Sequence, residues 1–395
     1  MSTPESAYLF ARRMDQMRPS TIREILKVTA QPEIISFAGG LPAPELFPVA
    51  QVAAAADVAL AQYGARALQY GQSEGLPQLR EWISQEMIAR GVPTSPADIL
   101  VTNGSQQVLD LAGKLFLNAG DVVLTENPTY LAAIQAFQTF EVKFVPVPTD
   151  ENGLIPEALP ELVRLHKPKF LYTIPNFQNP TGITLSGPRR QTLAKLAAEL
   201  KLTIIEDDPY GKLRYHGTAI PPIKHWDEAG RVLYASTFSK TIAPGLRLGW
   251  VSAPPEVFSR LLILKQASDL HTSSFDQLVG YFYLTQNDQA AHLRKICSVY
   301  GERYGVLDAA LRAEMPAGFT WTKPEGGMFL WVTGPAELDA LELLQRCIAQ
   351  KVAFVPGRDF FPGDAGKNFL RLNYSNSTPE RIREGVKRLA ALCKK

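Results

Sequence analysis

The sequence predicts an α/β fold with a large domain, in which a mostly parallel seven-stranded sheet lies between helices, and a smaller α+β domain. A length of 395 residues exceeds what one simple core usually holds, which favours two domains. From about residue 70 to 255, short β-rich runs alternate with amphipathic segments, as in βαβ units. Beyond residue 255, helices follow one another before short strands return. We therefore expect an N-terminal segment (1–48) that packs with the small domain, a large domain (49–290) and a small C-terminal domain (291–395).

Apolar, β-rich runs predict the strands of the large sheet. They are Ile99–Thr102, Val122–Thr125, Val142–Val147, Phe170–Ile174, Thr203–Glu206, Val232–Ser236 and Gly249–Ala253. Their nearly continuous apolar character indicates a sheet covered on both faces. Between them, Gln106–Leu117 and Arg189–Leu200 carry apolar residues at helical spacing.

The C-terminal part predicts a different arrangement, in which helices come first. The expected helices are Pro255–Asp269, Ser274–Gln286, a long one from Asp288 to about Met315, one near Glu337–Gln350 and one from Pro379. The expected strands are Phe329–Thr333, Ala353–Pro356 and Phe369–Tyr374. This order predicts an α+β unit with its own core.

The composition argues against several classes of function. A net charge of +2 gives no reason to expect nucleic acid or an anionic membrane as a partner. No run reaches the roughly 18 apolar residues of a membrane span, and the N-terminus lacks the apolar region of a signal peptide. Cys297, Cys347 and Cys393 lie far apart, which favours reduced thiols, a cytoplasmic location and no metal site.

Polar residues follow several predicted strands, at the edge where ligands of open α/β sheets bind. After the first strand come Gly104 and Ser105, and a glycine turn before a helix can bind an anion, although Ser105 could also be an ordinary N-cap. Tyr130 follows the second strand and could stack on a flat ring or simply pack. Asn179, in the sequence NPTG, follows another strand and could belong to a plain turn.

Two more strand ends carry charged residues. Asp207, Asp208 and Tyr210 follow one strand, and adjacent carboxylates are costly there unless they meet cations or water. Lys240 follows the next strand, and Arg247 comes seven residues later. Each feature alone has a structural explanation, but their occurrence at successive strand ends favours a shared ligand site.

Pyridoxal 5′-phosphate needs each of these groups. Its aldehyde condenses with a lysine amine, and its ring nitrogen stays protonated beside a carboxylate. Its ring stacks on an aromatic side chain, its ring oxygen takes a donor, and its phosphate suits a helix N-terminus together with an arginine. The residues therefore predict this cofactor.

The sequence resembles the class I/II aminotransferases, which have fold type I and depend on pyridoxal phosphate. The resemblance rests on the motifs GSQQ, NPTG and D-x-x-Y, and on the loop STFSK, whose lysine is followed seven residues later by an arginine. The resemblance runs from about Ile34 to Lys387. It implies that Lys240 binds the cofactor covalently, that Asp207 contacts the ring nitrogen and that Tyr130 stacks on the ring. It implies that Asn179 and Tyr210 contact the ring oxygen. The phosphate contacts it implies are Ser105, Gln106, Ser236, Ser239 and Arg247.

The resemblance extends to the substrate and the neighbouring subunit. Arg371 matches the arginine that binds the α-carboxylate, with Asn179 beside it. Tyr70 matches a tyrosine that reaches the phosphate in the neighbouring subunit, which implies a homodimer. The same stretch contains G-x-S-x-G, but no buried apolar strand precedes it, so we do not assign a hydrolase serine there.

The stretches RPSTIREIL and SFAGGLPAPELFP are similar to those of prokaryotic 2-aminoadipate aminotransferases of lysine biosynthesis. That similarity implies substrate contacts from Ser20, Arg23 and Gly40, and glutamate with 2-oxoglutarate as the second pair. A broad aromatic, branched-chain or kynurenine aminotransferase and a carbon–sulfur lyase remain alternatives. In the expected amino transfer, Lys240 moves the α-proton as a neutral amine, so its pKa must lie well below about 10.4.

Overall fold

The computed structural model describes residues 8–17, 25, 31–363 and 365–394. Its strands in chain order are β1 (Ile35–Ser36), β2 (Ile99–Asn103), β3 (Val122–Thr125), β4 (Lys143–Pro146), β5 (Thr149–Asp150), β6 (Gly153–Leu154), β7 (Phe170–Thr173), β8 (Thr203–Asp207), β9 (Val232–Thr237), β10 (Leu248–Ser252), β11 (Thr320–Trp321), β12 (Phe329–Thr333), β13 (Val352–Ala353), β14 (Val355–Pro356) and β15 (Phe369–Asn373).

The described helices surround two principal sheets. The α-helices are Val49–Tyr63, Pro77–Ala89, Ser105–Phe116, Leu131–Gln138, Leu159–His166, Gly187–Glu199, Pro255–Asp269, Ser274–Gln286, Gln289–Glu314, Ala340–Ala349 and Pro379–Cys393. The 3-10 helices are Arg12–Gln16, Pro44–Leu46, Gly64–Leu68, Pro96–Asp98, Pro156–Ala158, Ile223–Trp226, Pro244–Leu246 and Gly357–Phe360. None of these described helices is long and apolar enough to cross a bilayer.

The large sheet has the strand order β2-β10-β9-β8-β7-β3-β4. The pairs from β9 through β8, β7 and β3 to β4 are parallel, whereas β10 runs antiparallel to both β9 and β2. The predicted mostly parallel, seven-stranded sheet is therefore confirmed. The carboxyl ends of β2, β3, β7, β8 and β9 lie at one edge, and the reversed β10 begins at that same edge.

Helices cover both faces of this sheet, which explains the continuous apolar runs. Successive side chains of a strand point to opposite faces. Leu171 packs in the core beneath helix Gly187–Glu199, whereas its neighbour Phe170 lies on the other face, with its ring 5.1 Å from that of Phe137 in helix Leu131–Gln138. Both faces are thus apolar, and the alternation that marks a half-exposed strand is missing.

The smaller sheet has the order β11-β12-β15-β14 and is antiparallel. Trp331 lies opposite Arg371 in the β12–β15 pair, and the guanidinium of Arg371 reaches Asn179 in the loop after β7 of the large sheet. The predicted strand Ala353–Pro356 is divided in the structure, because β13 pairs with β1 whereas β14 pairs with β15. The hairpin of β5 and β6 was not predicted.

Capping explains two of the differences in helix boundaries. The predicted helix near Glu337 begins only at Ala340, because the Asp339 side chain accepts hydrogen bonds from the backbone N–H groups of Leu341 and Glu342. Asp288 caps the long helix in the same way, so the helix begins at Gln289.

The limits of the N-terminal segment and of the two domains stay a prediction.

Candidate active site

A cavity of about 580 Å³ lies where the carboxyl edge of the large sheet meets the small sheet. Many of the residues that the sequence singled out line this cavity. They are Gly40, Ser105, Gln106, Tyr130, Asn179, Asp207, Tyr210, Ser239, Lys240, Arg247 and Arg371. Residues separated by more than three hundred positions in the chain thus share one site, which makes it the candidate active site.

A second groove of about 740 Å³ is larger but lacks this chemistry. It lies between residues 182–186 and residues 320–325, and the predicted site residues that the structure describes do not line it. Two acidic residues line it, Glu151 and Glu325, and Glu325 pairs with Arg214 at 2.6 Å. The smaller cavity is therefore the candidate active site.

One end of the cavity is formed by the turn between β2 and helix Ser105–Phe116. Gly104 occupies the N-cap position with φ +71°, so Ser105 is the first helical residue and not the cap. A Cβ atom at Gly104 would lie 2.8 Å from Nη2 of Arg247, which shows how closely the guanidinium approaches the turn. The free amides of a helix N-terminus beside a guanidinium form a site for a phosphate.

Arg247 reaches this turn because the chain bends sharply before β10. Residues Pro244–Leu246 form a short 3-10 helix, and Arg247 itself has a positive φ of 52°. Its Nη1 donates to the carbonyl of Pro244 and its Nη2 to that of Asn103, at 3.3 and 3.2 Å. These backbone contacts fix the guanidinium while leaving the residue at the cavity.

Lys240 lies near the middle of the cavity. Its Nζ donates a hydrogen bond to the carbonyl oxygen of Gly40 at 2.9 Å. Burial, with further contributions from Arg371 and Arg247, lowers the pKa of Lys240 to about 8. A lysine in this state is about one-tenth neutral at pH 7, far more than an ordinary lysine, and a neutral amine can act as a nucleophile or a base.

Asp207 ends β8 and is almost completely buried. Its Oδ2 accepts a hydrogen bond from the hydroxyl of Tyr172 at 2.8 Å, whereas its Oδ1 is buried without a partner among the described residues. Burial, opposed by the Tyr172 hydrogen bond, raises the pKa of Asp207 to about 7. An orphaned carboxylate oxygen at a cavity fits a protonated ring nitrogen as its missing partner.

Asp208 has a structural environment despite its position beside Asp207. Its carboxylate accepts hydrogen bonds from Arg90 Nη2, Tyr234, Asn176 and the backbone N–H of Gly211. Although burial works in the opposite direction, Arg90 and these donors lower the pKa of Asp208. The pair of acids therefore divides into one satisfied anion and one that faces the cavity.

Arg371 forms the side of the cavity that belongs to the small sheet. Its Nη1 donates to Oδ1 of Asn179 at 2.9 Å and its Nη2 to the carbonyl of Ala38 at 2.7 Å. The rings of Phe329 and Phe360 lie 4.3 and 5.0 Å from its guanidinium carbon. Burial lowers its pKa to about 10, so it remains a cation at neutral pH and can bind a carboxylate.

Two tyrosines complete the polar lining. Tyr130 immediately precedes helix Leu131–Gln138, and burial, with Asp207 adding to it, raises the pKa of Tyr130 to about 12. Tyr210 packs edge-on against Phe329, with ring centroids 5.9 Å apart, and burial raises its pKa as well. Both phenols therefore stay protonated and can donate hydrogen bonds at neutral pH.

The structure does not bring every predicted residue to the cavity. The hydroxyl of Ser236 donates to the backbone carbonyl of Asp208 at 2.7 Å, and Ser236 does not line the cavity. Tyr70 is 78% exposed outside the cavity of its own chain. Ser20 and Arg23 lie outside the described residues.

Sequence reasoning missed several lining residues, above all Thr237. Because side chains alternate along β9, Thr237 faces the cavity where Ser236 does not, and its Oγ1 lies 2.9 Å from Oγ of Ser239. Strand alternation was the signal that could have found it. Leu41, which follows Gly40 in the stretch SFAGGLPAPELFP, and Gln135, which no motif marks, also line the cavity.

The charged groups of the cavity limit what it can bind. Among the described lining residues they are Lys240, Arg247, Arg371 and Asp207, three cations and one acid. This arrangement suits a ligand that carries a phosphate near Arg247, a ring nitrogen at Asp207 and a carboxylate at Arg371. Pyridoxal phosphate and an amino acid together provide these three groups, so the described residues fit the predicted cofactor.

Comparison with known proteins gives a consistent result. The sequence model of the family described as "Aminotransferase class I and II" matches residues 33–389. The aromatic-amino-acid aminotransferase 1 of Thermococcus litoralis is 45% identical over 98% of this chain and 94% of its own length. The 2-aminoadipate transaminase of Thermus thermophilus is 41% identical over 98% of this chain and 96% of its own length.

A solved structure extends the similarity to three dimensions. It is the alpha-aminoadipate aminotransferase of Thermus thermophilus in complex with N-(5′-phosphopyridoxyl)-L-leucine. The two chains superpose with a TM-score of 0.91 at 40% identity, over 98% of this chain and 97% of the other.

Proposed function

The chain belongs to the class I and II aminotransferases and depends on pyridoxal 5′-phosphate, and on that premise we propose that it transfers the amino group between 2-aminoadipate or glutamate and a 2-oxoacid such as 2-oxoglutarate. The observation that carries this proposal is the placement of Lys240, with its lowered pKa, in one cavity with the orphaned oxygen of Asp207 and the cation Arg371.

We assign the cofactor to the described residues as follows. When bound, pyridoxal phosphate supplies an aldehyde that bonds to amines and a ring that accepts electrons from the substrate Cα. The N-terminus of the helix that begins with Ser105 would hold the phosphate, Tyr130 would stack on the ring, and Asp207 would accept the ring N–H. The further contacts are Gln106, Thr237, Ser239 and Arg247 for the phosphate and Asn179 and Tyr210 for the ring oxygen.

The amine of Lys240 both holds the cofactor and moves the α-proton of the substrate. Its lowered pKa makes the neutral, proton-accepting form available at neutral pH. Arg371 and Asn179, already joined by a hydrogen bond, bind the α-carboxylate and set the direction of the Cα–H bond. Orientation of this bond is a large part of the rate acceleration, because it converts a rare geometry into the bound one.

The substrate side chain meets a largely uncharged wall. Leu41, Ile174, Phe329 and Gln135 line the cavity, and the described residues offer no further cation for a distal carboxylate. We therefore assign the distal carboxylate to Arg23, with Ser20 and the backbone of Gly40 as further substrate contacts, as the similarity of residues 18–26 and 36–48 to 2-aminoadipate aminotransferases suggests.

A broader aminotransferase is the second candidate. The apolar wall of Leu41, Ile174 and Phe329 suits leucine or an aromatic side chain, and the Thermococcus litoralis relative is an aromatic-amino-acid aminotransferase. Acceptance of both substrate classes requires Arg23 to contribute to the binding of one class and to be dispensable for the other.

We further propose a homodimer in which Tyr70 contacts the phosphate bound by the partner subunit. Its exposed position outside the cavity of its own chain supports a role in the neighbouring site. The similarity to 2-aminoadipate aminotransferases supports a role in lysine biosynthesis, and the free state of Cys297, Cys347 and Cys393 supports a location in the reducing cytoplasm.

The experiment that tests this function is a panel of single amino acids added to the cofactor-loaded protein, followed by the visible absorbance of the cofactor. We expect 2-aminoadipate and glutamate to convert the cofactor to its amine form. Arg23→Ala should weaken these two substrates at least tenfold more than leucine, since it removes a charge-assisted contact of roughly 1.5–3 kcal/mol. A response limited to aromatic or branched amino acids would instead establish the second candidate.

Arg12→Ala is the matched control for this panel. Arg12 is an exposed N-terminal arginine whose guanidinium pairs with Glu141 at 2.7 Å, outside the cavity. We expect this variant to treat all substrates as the unmodified protein does. If Arg23→Ala weakens leucine and 2-aminoadipate equally, Arg23 does not bind the distal carboxylate.

A further inference from the structure

Tyr172 is a buried residue that the assignments above leave without a role. It lies on β7, next to β8 in the sheet, and none of its surface is exposed. In the parallel register Tyr172 lies opposite Ile205, two positions before Asp207, so the tyrosine and the aspartate project from the same face. The hydroxyl of Tyr172 donates to Oδ2 of Asp207 at 2.8 Å.

The ring of Tyr172 is fixed from a second direction. It packs edge-on against Phe137 in helix Leu131–Gln138, with ring centroids 5.8 Å apart. That helix follows directly on Tyr130 and lines the cavity with Leu131. The hydroxyl therefore cannot follow Asp207 if the carboxylate rotates, and the hydrogen bond holds the carboxylate in one orientation.

This orientation leaves one oxygen for a ligand. With Oδ2 bonded to Tyr172, the remaining oxygen Oδ1 has no partner among the described residues, although Asp207 lines the cavity. We propose that Tyr172 is a positioning residue for Asp207, whose hydroxyl holds Oδ2 so that Oδ1 receives the ring N–H of the cofactor. The inference rests on the proposed role of Asp207 at the ring nitrogen.

The hydroxyl also stabilises the charged form of Asp207. A hydrogen bond to a carboxylate favours the ionised state, and a carboxylate that stays ionised keeps the proton on the ring nitrogen. Without this donor, the proton would shift from the ring nitrogen toward Asp207, and the ring would accept electrons less readily. Tyr172 therefore affects the proton-removal step although it touches neither the substrate nor the cofactor.

The chain offers a matched control in Tyr234. This tyrosine is equally buried, on the next strand but one, and its hydroxyl donates to Oδ2 of Asp208 at 2.8 Å. Tyr172→Phe and Tyr234→Phe each remove one buried hydroxyl from one aspartate. The variants differ in that Asp207 lines the cavity whereas Asp208 is satisfied by Arg90 and other donors.

The test measures the equilibrium binding of pyridoxal 5′-phosphate to the apo-protein of each variant, together with kcat and KM for glutamate. For Tyr172→Phe we expect the dissociation constant of the cofactor to rise about tenfold and kcat to fall about tenfold, with KM changed less than about twofold, since one pKa unit corresponds to a factor of ten. For Tyr234→Phe we expect the affinity and kcat to change less than about twofold, although its melting temperature falls.

Two results would overturn the inference. One is a Tyr172→Phe variant with unaltered affinity and kcat, and the other is an equal loss in Tyr234→Phe. Asp207→Asn separates this failure from a failure of the proposed site. If Asp207→Asn keeps full cofactor affinity and kcat, Asp207 does not contact the ring nitrogen. The proposed role of Tyr172 would then be wrong as well, because it acts through Asp207.

Discussion

Arg371 and Asn179 are joined by a hydrogen bond of 2.9 Å between Nη1 and Oδ1, although 192 positions separate them in the chain. Arg371 belongs to β15 of the small sheet, whereas Asn179 lies in the loop after β7 of the large sheet. The bond therefore fixes the position of the two sheets relative to each other at the cavity. In the proposed function, this pair would present an amide and a guanidinium to the α-carboxylate of the substrate.

Replacing Arg371 by lysine should weaken every amino acid substrate to a similar degree. Arg371→Lys keeps a positive charge but loses the planar pair of donors, the bond to Asn179 and the packing between Phe329 and Phe360. We expect KM to rise at least tenfold for both glutamate and leucine, which corresponds to roughly 1.5–3 kcal/mol for a charge-assisted contact. Steady-state kinetics with both substrates provide the measurement, and a loss confined to glutamate would contradict the assignment to the α-carboxylate.

The lowered pKa of Lys240 predicts how the apo-protein takes up its cofactor. At a pKa of about 8, roughly one-tenth of the amine is neutral at pH 7 and half at pH 8, whereas an ordinary lysine would be almost fully protonated at both. The rate of covalent attachment should therefore rise about fivefold from pH 7 to pH 8 and less than about twofold from pH 8 to pH 10. Stopped-flow absorbance after mixing with pyridoxal phosphate measures this rate.

Two controls identify the lysine responsible. Lys240→Ala should show no covalent attachment at any pH. Pyridoxamine 5′-phosphate, which lacks the aldehyde, should bind the unmodified protein without this pH dependence. A rate that still rises about sevenfold between pH 9 and pH 10 would mean that Lys240 titrates like an ordinary lysine with a pKa of about 10.4.

The layout of the fold and most of the cavity followed from sequence because they depend on local patterns. Continuous apolar runs mark strands buried on both faces, and Phe170 and Leu171 illustrate why. Residues placed directly after such strands, such as Asp207 and Lys240, must lie at one edge of a parallel sheet. Asp207 faces the cavity whereas Asp208 is bound by Arg90 and other donors that are distant in sequence, and no local pattern reveals this difference.

The assignment of Ser236 shows the limit of motif reasoning. Ser236 and Ser239, on either side of Thr237, were both predicted to contact the phosphate, but a strand sends neighbouring side chains to opposite faces. Ser236 therefore bonds to the carbonyl of Asp208, while Thr237 and Ser239 face the cavity. Similarly, Tyr172 carries no motif, since its importance arises from pairing between β7 and β8.

The two serines on either side of Thr237 should consequently differ in their effect on cofactor binding. Ser239→Ala should weaken the binding of pyridoxal phosphate about fivefold, the value of one lost hydrogen bond of about 1 kcal/mol. Ser236→Ala should leave the affinity unchanged and lower the free energy of unfolding by about 1 kcal/mol, because its partner carbonyl is buried. Cofactor titration measures the affinity and urea unfolding measures the stability of both variants. A loss of affinity in Ser236→Ala would mean that Ser236 does contact the phosphate.

The phosphate end of the cavity is best tested at Gly104. A methyl group there would lie 2.8 Å from Nη2 of Arg247, in a turn whose φ of +71° an alanine adopts with strain. Gly104→Ala should displace the guanidinium and lower the affinity for pyridoxal phosphate about tenfold or more, as loss of a charge-assisted contact implies. Pyridoxal, which lacks the phosphate, should lose much less.

Gly120→Ala separates this displacement from backbone strain. Gly120 also has a positive φ, +87°, but a methyl group on it would meet nothing within 4 Å. Both variants should lose stability because of a positive φ, by about 1–2 kcal/mol in Gly120→Ala and by about 1–3 kcal/mol in Gly104→Ala, whose φ of +71° and ψ of 171° lie in a region that essentially only glycine adopts. Urea unfolding measures both losses. The affinity for pyridoxal phosphate should fall in Gly104→Ala alone. If the two variants bind the cofactor equally well, or if Gly104→Ala loses pyridoxal and pyridoxal phosphate to the same extent, the phosphate does not lie between Gly104 and Arg247.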